Sequence, residues 1–154
     1  MKSFTIENIK EFMHLIFKTN IFDNYQVHIA SALTFTYFEI SGNLNHSFFD
    51  EGEDPERNYC TWEEIRPYVF NVIKGTKLPK KMKIILDAPQ NLKESISQNI
   101  SSLFINISYE NNILTVTTGS SLKSFTLDKS HEILWDEYIE NLIKENNIIV
   151  STLF

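Results

Sequence analysis

Hydrophobic residues recur at helical spacing in two segments of the chain, one near its start and one near its middle. Apolar side chains three and four positions apart are typical of an amphipathic helix, and they predict helices over residues 6–18 and 62–74. Thr61 and Glu64 have the spacing of a capping box, and Pro67 predicts a kink in the second helix. The two apolar stripes consist of Ile9, Phe12, Met13, Ile16 and Phe17, and of Trp62, Ile65, Val69, Val72 and Ile73.

The pattern alternates from Tyr25 onward, which is typical of half-buried strands. We predict a meander in which Val27, Ile29 and Ser31 share one face. A turn is expected at residues 41–43, where Gly and Asn tolerate positive φ, and a returning strand over 44–49. Residues 1–5 predict a short first strand, residues 82–88 a buried strand, and residues 89–99 a polar segment compatible with a short helix.

The second half of the chain predicts another meander and a final helix. Two apolar runs, 103–109 and 113–118, flank Glu110-Asn111-Asn112, and Asn accepts the left-handed conformations of a tight hairpin turn. Gly119-Ser120-Ser121 predicts the next turn, and 123–127 a strand paired with the run before it. Ser130 is expected to cap the helix, whose predicted buried face is Trp135, Tyr138, Ile139 and Leu142, and the tail 148–154 predicts an edge strand.

The order of these elements indicates the fold class. Helices separated by meandering strands predict an α+β fold with a mainly antiparallel sheet, since βαβ units would alternate single strands with helices. Each half has one amphipathic helix followed by strands, and the last helix is an addition. The length of 154 residues fits one domain over 1–154, and no linker interrupts the pattern.

Composition narrows the classes of function. The lone cysteine, Cys60, excludes an internal disulfide and favours a reducing compartment. The chain begins without an apolar leader, and no run is long enough to span a bilayer, so we expect a cytoplasmic protein without a membrane partner. The net charge of −6 disfavours indiscriminate nucleic-acid binding, although a local basic face or a basic protein partner stays possible.

Two groups of residues are distinctive, one through the second predicted helix and one from the late predicted strands into the last helix. They are Trp62, Arg66, Pro67, Tyr68, Ile73, Lys74, Gly75 and Pro79, then Thr117, Thr118, Gly119, Leu122, 125–130, Trp135 and Asp136. In these residues the chain resembles a family of uncharacterised proteins from clostridia and related Gram-positive bacteria. The resemblance covers nearly the whole chain and implies a bacterial, cytoplasmic protein, without any known activity or cofactor.

The order of helices and meanders is also similar to the domain repeated in DNA sliding clamps, through about Leu127. In a clamp the two helices line a basic channel. Here Lys10 and Lys18 are balanced by Glu7 and Glu11, and the second helix is likewise formally neutral. The resemblance therefore implies a fold and carries no residue roles, because fold does not imply function.

One basic cluster lies between the end of the second predicted helix and the following strand. It is a candidate contact for phosphates or for an acidic partner. The alternative is a solvated loop whose first lysine interacts favourably with the C-terminal end of a helix. No aromatic residue alternates with the lysines, so a stacking platform for single-stranded nucleic acid is not supported. The cluster consists of Lys74, Lys77, Lys80, Lys81 and Lys83.

One acidic loop, residues 50–58, offers carboxylates of the kind that bind Ca²⁺ or Mg²⁺. The spacing does not match an EF-hand, and a solvated loop is the alternative. A metal-dependent hydrolase acting through this loop is one hypothesis for the function. Its candidate ligands are Asp50, Glu51, Glu53 and Asp54.

The remaining motifs do not converge on a catalytic set. Cys60 with His46 would make a nucleophile and base, but a lone cysteine between aromatic residues is more typical of a buried position. The stretch at 117–130 has one glycine, and its Gly119-Ser120-Ser121 lies between two predicted strands and not directly before a helix, so it lacks the features of a phosphate-binding loop. We therefore predict a non-catalytic binding or scaffold domain that uses no cofactor and binds another protein or itself. A DNA-associated protein that uses the basic cluster is the alternative.

Overall fold

A computed structural model describes residues 1–75 and 77–152, and within them seven strands form a single sheet. Every strand pair is antiparallel, and the strand order is β3-β2-β4-β5-β6-β1-β7, so the predicted α+β class with an antiparallel sheet is confirmed. The elements are β1 Ser3–Ile6, α1 Ile9–Lys18, β2 Gln26–Leu33, β3 Tyr37–Ser41, a 3₁₀ turn His46–Phe48, α2 Trp62–Ile73, β4 Lys81–Asp87, α3 Gln90–Ile96, β5 Ile100–Glu110, β6 Ile113–Leu122, α4 Ser130–Glu145 and β7 Val150–Thr152.

The two faces of the sheet differ in what covers them. Met82, Ile84 and Leu86 of β4 are buried, and they pack in one core with the buried residues of α1, α2 and α4. The intervening residues face the other way, since side chains alternate along a strand. A row of polar residues crosses five strands on this second face, and its members are half-buried or exposed: Ser31, Lys83, Ser108, Thr115 and Thr5.

Two side chains of α2 hold the C-terminal end of α1. The indole of Trp62 donates to the carbonyl of Ile16 over 2.7 Å, and Arg66 donates to the carbonyl of Phe17 over 2.9 Å. The last carbonyls of a helix have no partner within that helix, so these bonds satisfy groups that would otherwise be buried and unpaired. The predicted capping box between Thr61 and Glu64 is confirmed, although α2 runs from Trp62 with Pro67 in its interior.

The prediction for the first meander is wrong in two places. The strands turn at residues 34–36, and Gly42 instead lies against β2, where its N–H donates to the carbonyl of His28. A Cβ atom on Gly42 would overlap the carbonyl oxygen of Val27, so the position requires glycine for space and not for positive φ. Residues 44–49 do not form a strand, because the side chain of Asn45 accepts from the N–H of Ser47 and starts a 3₁₀ turn.

A β-bulge also changes which residues of β2 face the core. The register against β4 shifts between Val27 and Ile29. An extra residue in one strand moves the following side chains to the opposite face. After the bulge Ala30 and Ala32 are therefore on the buried face together with Val27, whereas the alternation predicted that Ile29 and Ser31 share the face of Val27.

The β5–β6 hairpin confirms the predicted Asn-Asn turn. Asn111 and Asn112 have φ values of 53° and 63°. The second predicted turn is wrong, because Gly119 to Ser121 lie within β6 and pair with β5. Residues 123–127 are not a strand, and the side chain of Asn99 instead bonds the backbone there. The partner strand explains the difference, since β5 begins at Ile100 and offers hydrogen bonds along all of β6.

The final helix and the tail agree with the prediction only in part. Ser130 is the first residue of α4 and not its cap; its N–H and hydroxyl both donate to the carboxylate of Asp128. Tyr138 is exposed, and Leu142 is only partly buried, because the core contacts follow a strict spacing of four residues. The tail forms β7 against β1, and residues 153 and 154 lie outside the described residues. The buried face of α4 consists of His131, Trp135, Ile139 and Ile143.

Candidate binding groove

A groove of about 580 Å³ lies at one corner of the molecule, and three of the five lysines of the basic cluster line it. The β2–β3 turn, the C-terminal end of α2 and the segment before β4 form its walls. Its lining residues are Thr34, Phe35, Asn71, Val72, Ile73, Lys74, Gly75, Lys77, Leu78 and Lys80.

Backbone hydrogen bonds hold both ends of the lysine-containing segment. The N–H of Lys74 donates to the carbonyl of Phe70 and ends α2. Gly75 then has a φ of 147°, a conformation that residues with a Cβ rarely adopt, so glycine is needed where the chain leaves the helix. The segment is fixed again where the N–H of Lys80 donates to the carbonyl of Leu33 over 2.8 Å. The groove is therefore framed by the sheet and by α2.

The lysines of the groove carry charge that no carboxylate in the described part of the chain pairs with. Lys74, Lys77 and Lys80 are exposed, and the described residues place no carboxylate within 4.0 Å of their ammonium groups. Three like charges around one concave surface create a local positive potential, even on a protein with a net charge of −6. The groove therefore has the electrostatics of a site for an anionic ligand.

The other two lysines of the cluster lie outside the groove. Lys81 and Lys83 belong to β4 and point to the polar face of the sheet, and Lys81 is 3.2 Å from the carboxylate of Glu110. Lys83 is in register with Ser31 and Ser108 on that face. The structure thus divides a cluster that is continuous in sequence.

Two strongly exposed apolar side chains accompany the groove lysines. Phe35 at the tip of the β2–β3 turn is 92 % exposed, and Leu78 is 72 % exposed. Large exposed apolar side chains that lie together are typical of interaction sites. Sequence analysis placed Phe35 in a strand and found no aromatic residue among the lysines. In the sequence Phe35 stands between two threonines, and this local pattern does not predict that the β2–β3 turn lies next to α2.

The acidic loop is held by its own contacts. The imidazole of His46 lies 2.6 Å from the carboxylate of Asp54, and the N–H of Glu53 donates to the carbonyl of Asp50. Across residues 1–75 and 77–152 the structure gathers no group of three His, Cys, Asp or Glu side chains that could hold a metal ion. The metal site at Asp50, Glu51, Glu53 and Asp54 stays a prediction.

A bidentate ion pair joins the end of the acidic loop to the start of α2. Arg57 donates to both carboxylate oxygens of Glu64 over 2.8 and 2.9 Å, and also to the carbonyl of Tyr59. The bonds from Arg57, more than those from Thr61, lower the pKa of Glu64 to about 2. Burial, with a smaller effect of Glu64, raises the pKa of the nearby Cys60 thiol, which lowers the fraction of nucleophilic thiolate.

Sequence analysis missed a buried ionic cluster on the other end of the sheet. The ammonium of Lys93 in α3 donates to Asp87 over 2.9 Å, and the other carboxylate oxygen of Asp87 accepts from the N–H of Leu103. The ring of His28 lies 3.7 Å from Asp87 and stacks on Tyr59. Lys93 lies in the polar segment 89–99, where the expected short helix is present as α3, but no signal in the sequence indicates that this lysine is buried.

Comparison with known proteins places the chain in a family. The sequence model of a family of unknown function, DUF5721, matches residues 14–151. The chain belongs to this family. The matched segment begins within α1 and ends within β7, so it contains both the groove and the Asp87–Lys93 pair. No curated protein and no solved structure matches the chain significantly. The clostridial origin and the resemblance to sliding clamps therefore stay predictions.

None of the helices in the described ranges, up to residue 75 and from 77 to 152, is long and apolar enough to cross a bilayer.

Proposed function

We propose that the protein is a non-catalytic binding domain whose groove takes an acidic peptide segment with apolar anchor residues. One observation carries the proposal: three exposed lysines and two exposed apolar side chains line the same concave surface. Charge complementarity selects the carboxylates of the ligand, and burial of Phe35 and Leu78 supplies the apolar contact.

The two kinds of contact have different roles. Exposed ion pairs are each worth only about 0.2–1 kcal/mol, so the lysines orient the ligand and accelerate its encounter. Apolar burial contributes roughly 25 cal/mol per Å², and Phe35, with most of its surface in solvent, has the most to gain. A groove of about 580 Å³ is within the usual range for small ligand sites and holds a few side chains of a peptide.

A nucleic acid is the other class of anionic partner. It would place phosphates on the lysines and could stack a base on Phe35, but it has no aliphatic group to match the exposed Leu78. The net charge of −6 also opposes a long polyanion beyond the groove. A peptide fits better because its carboxylates and apolar side chains match both components of the surface.

Fluorescence anisotropy with a labelled peptide of Glu, Asp, Leu and Phe residues tests the proposal. We expect binding that weakens by about tenfold or more in the Lys77→Glu plus Lys80→Glu variant, the equivalent of about 1.4 kcal/mol. The matched control, Lys83→Glu plus Lys123→Glu, makes the same change in net charge outside the groove and should bind like the wild type.

The apolar component is tested separately. Phe35→Ala should weaken peptide binding, while Phe48→Ala, which removes another strongly exposed ring outside the groove, should not. Absence of peptide binding at about 1 mM, which corresponds to roughly 4 kcal/mol, would contradict the proposal. Tighter binding of a labelled oligonucleotide that the groove variant abolishes would assign the site to nucleic acid instead.

A further inference from the structure

We infer that the groove binds the exposed face of α4 from a second copy of this chain, so that the copies associate head to tail. The inference rests on the proposed binding function and names the partner. It comes from a second surface of the molecule, which has the chemistry that the groove requires of its ligand.

That second surface is the outward side of α4 near its start, which we call the α4 face and define as Ile133, Leu134, Glu137 and, at its edge, Tyr138, whose ring stacks on Trp135. Ile133 is 58 % exposed, Leu134 47 % and Tyr138 41 %. The carboxylate of Glu137 has no cation within 4.0 Å among the described residues. Apolar side chains and an available negative charge therefore lie on one side of a helix.

Helical spacing brings these residues together. Ile133 with Glu137, and Leu134 with Tyr138, are four positions apart, and residues at that spacing are neighbours on the surface of a helix. The loop that leads into α4 adds Phe125 and Leu127, which are 87 % and 84 % exposed. This part of the chain combines acidic and apolar groups as the proposed ligand does.

The groove and the α4 face of one chain lie too far apart to meet. The groove adjoins Leu33 at the C-terminal end of β2. The first turns of α4 lie beside Gly119 of β6. Across the sheet Gly119 is in register with Gln26 at the opposite end of β2. Seven residues of strand separate Gln26 from Leu33, roughly 23 Å at about 3.3 Å per residue. Strands β4 and β5 also lie between β2 and β6. The contact must therefore form between two molecules.

A contact between two different surfaces is heterologous, and it leaves one groove and one α4 face free in every open assembly. Such contacts build rings if the rotation closes and open chains if it does not. Association should thus increase with protein concentration and weaken with salt, since exposed charges are screened.

Analytical ultracentrifugation of the full chain over a concentration series tests the inference. We expect oligomers in the wild type, and monomers both in the groove variant Lys77→Glu plus Lys80→Glu and in the face variant Leu134→Ala plus Glu137→Lys. An equimolar mixture of the groove variant with Leu134→Ala plus Glu137→Gln, which adds no cation that could pair with the reversed groove, should form a one-to-one dimer and nothing larger, because it contains one intact groove and one intact α4 face per pair.

Controls separate the interface from general effects of the substitutions. Ile113→Ala plus Glu51→Lys removes an exposed apolar side chain and reverses an exposed charge elsewhere, and it should associate like the wild type. Glu137→Lys alone, at an exposed position, should weaken association while circular dichroism shows an unchanged fold.

Two results would overturn the inference. A wild-type chain that is monomeric at every concentration would contradict the self-contact. Peptide binding in the anisotropy experiment would in that case still support the proposed function. Oligomers that persist in both variants would place the interface elsewhere on the molecule.

Discussion

Lysine occurs in this protein in two opposite environments. Lys93 is only 7 % exposed and donates to Asp87, which is itself 4 % exposed, whereas Lys77 and Lys80 project into solvent beside an open groove. A charge that leaves water loses several kcal/mol of hydration unless a partner compensates it. A lysine at the surface keeps its hydration, and its potential remains available to a ligand. The same side chain is therefore structural in one place and a candidate for recognition in the other.

The contacts of the buried Lys93–Asp87 pair explain why it stabilises the fold. One carboxylate oxygen of Asp87 accepts from Lys93 and the other accepts from the N–H of Leu103, so the pair fastens α3 to β4 and β5. Both oxygens are occupied, which leaves little capacity for a ligand. The groove lysines have the opposite property, because the described part of the chain provides no carboxylate for them.

The largest effect is expected at the buried pair. Lys93→Met removes the cation bonded to Asp87 and leaves a buried carboxylate, a change that typically costs about 3–5 kcal/mol in the free energy of unfolding. Urea unfolding followed by tryptophan fluorescence measures it. Lys93→Met plus Asp87→Asn removes both charges and should recover part of the loss. A decrease of less than about 1 kcal/mol in the free energy of unfolding would show that the Lys93–Asp87 pair does not stabilise the fold.

An intermediate effect is expected at Arg57 and Glu64, where the ion pair is only partly shielded and the Glu64 side chain is 45 % exposed. The folded pKa of Glu64, about 2, lies below the unfolded value of about 4.3, so its contribution is complete above roughly pH 5 and disappears as the pH falls toward about 2. Because solvent screens the pair, Glu64→Gln should cost at most about 1 kcal/mol at neutral pH.

The pH dependence is the decisive measurement for that pair. The difference in unfolding free energy between the wild type and Glu64→Gln should shrink as the pH is lowered from 7 to about 2.5. A difference that is constant across this range would mean that the carboxylate charge contributes nothing and that only the capping contact matters.

The smallest effect on stability is expected in the groove. Lys77→Glu plus Lys80→Glu alters solvated side chains, so the free energy of unfolding should stay within about 0.5 kcal/mol of the wild type. The same variant should nevertheless bind the peptide about tenfold or more weakly than the wild type. A destabilisation comparable to that of Lys93→Met would show that the groove lysines are structural and would remove the contrast between the two environments.

The sequence by itself determined the elements whose causes are local. The stripe of α1, the capping box of Thr61 and Glu64, and the Asn111-Asn112 turn each depend on residues within a few positions of one another. The antiparallel α+β class followed from the order of such elements. The basic cluster was also visible, although its division between a groove and a sheet face was not.

Only the tertiary structure decided the features that depend on distant segments. Gly42 is required by the carbonyl of Val27 on a neighbouring segment, and β6 continues through Gly119 because β5 extends opposite it. Phe35 meets the lysines because Leu33 and Lys80 are hydrogen-bonded across the sheet. Lys93 is buried because Asp87 compensates its charge. In the first three cases the deciding contact joins residues far apart in sequence, so no local pattern contains it. Asp87 and Lys93 are only six positions apart, but their burial depends on the packing of α3 against β5, which is not local to them.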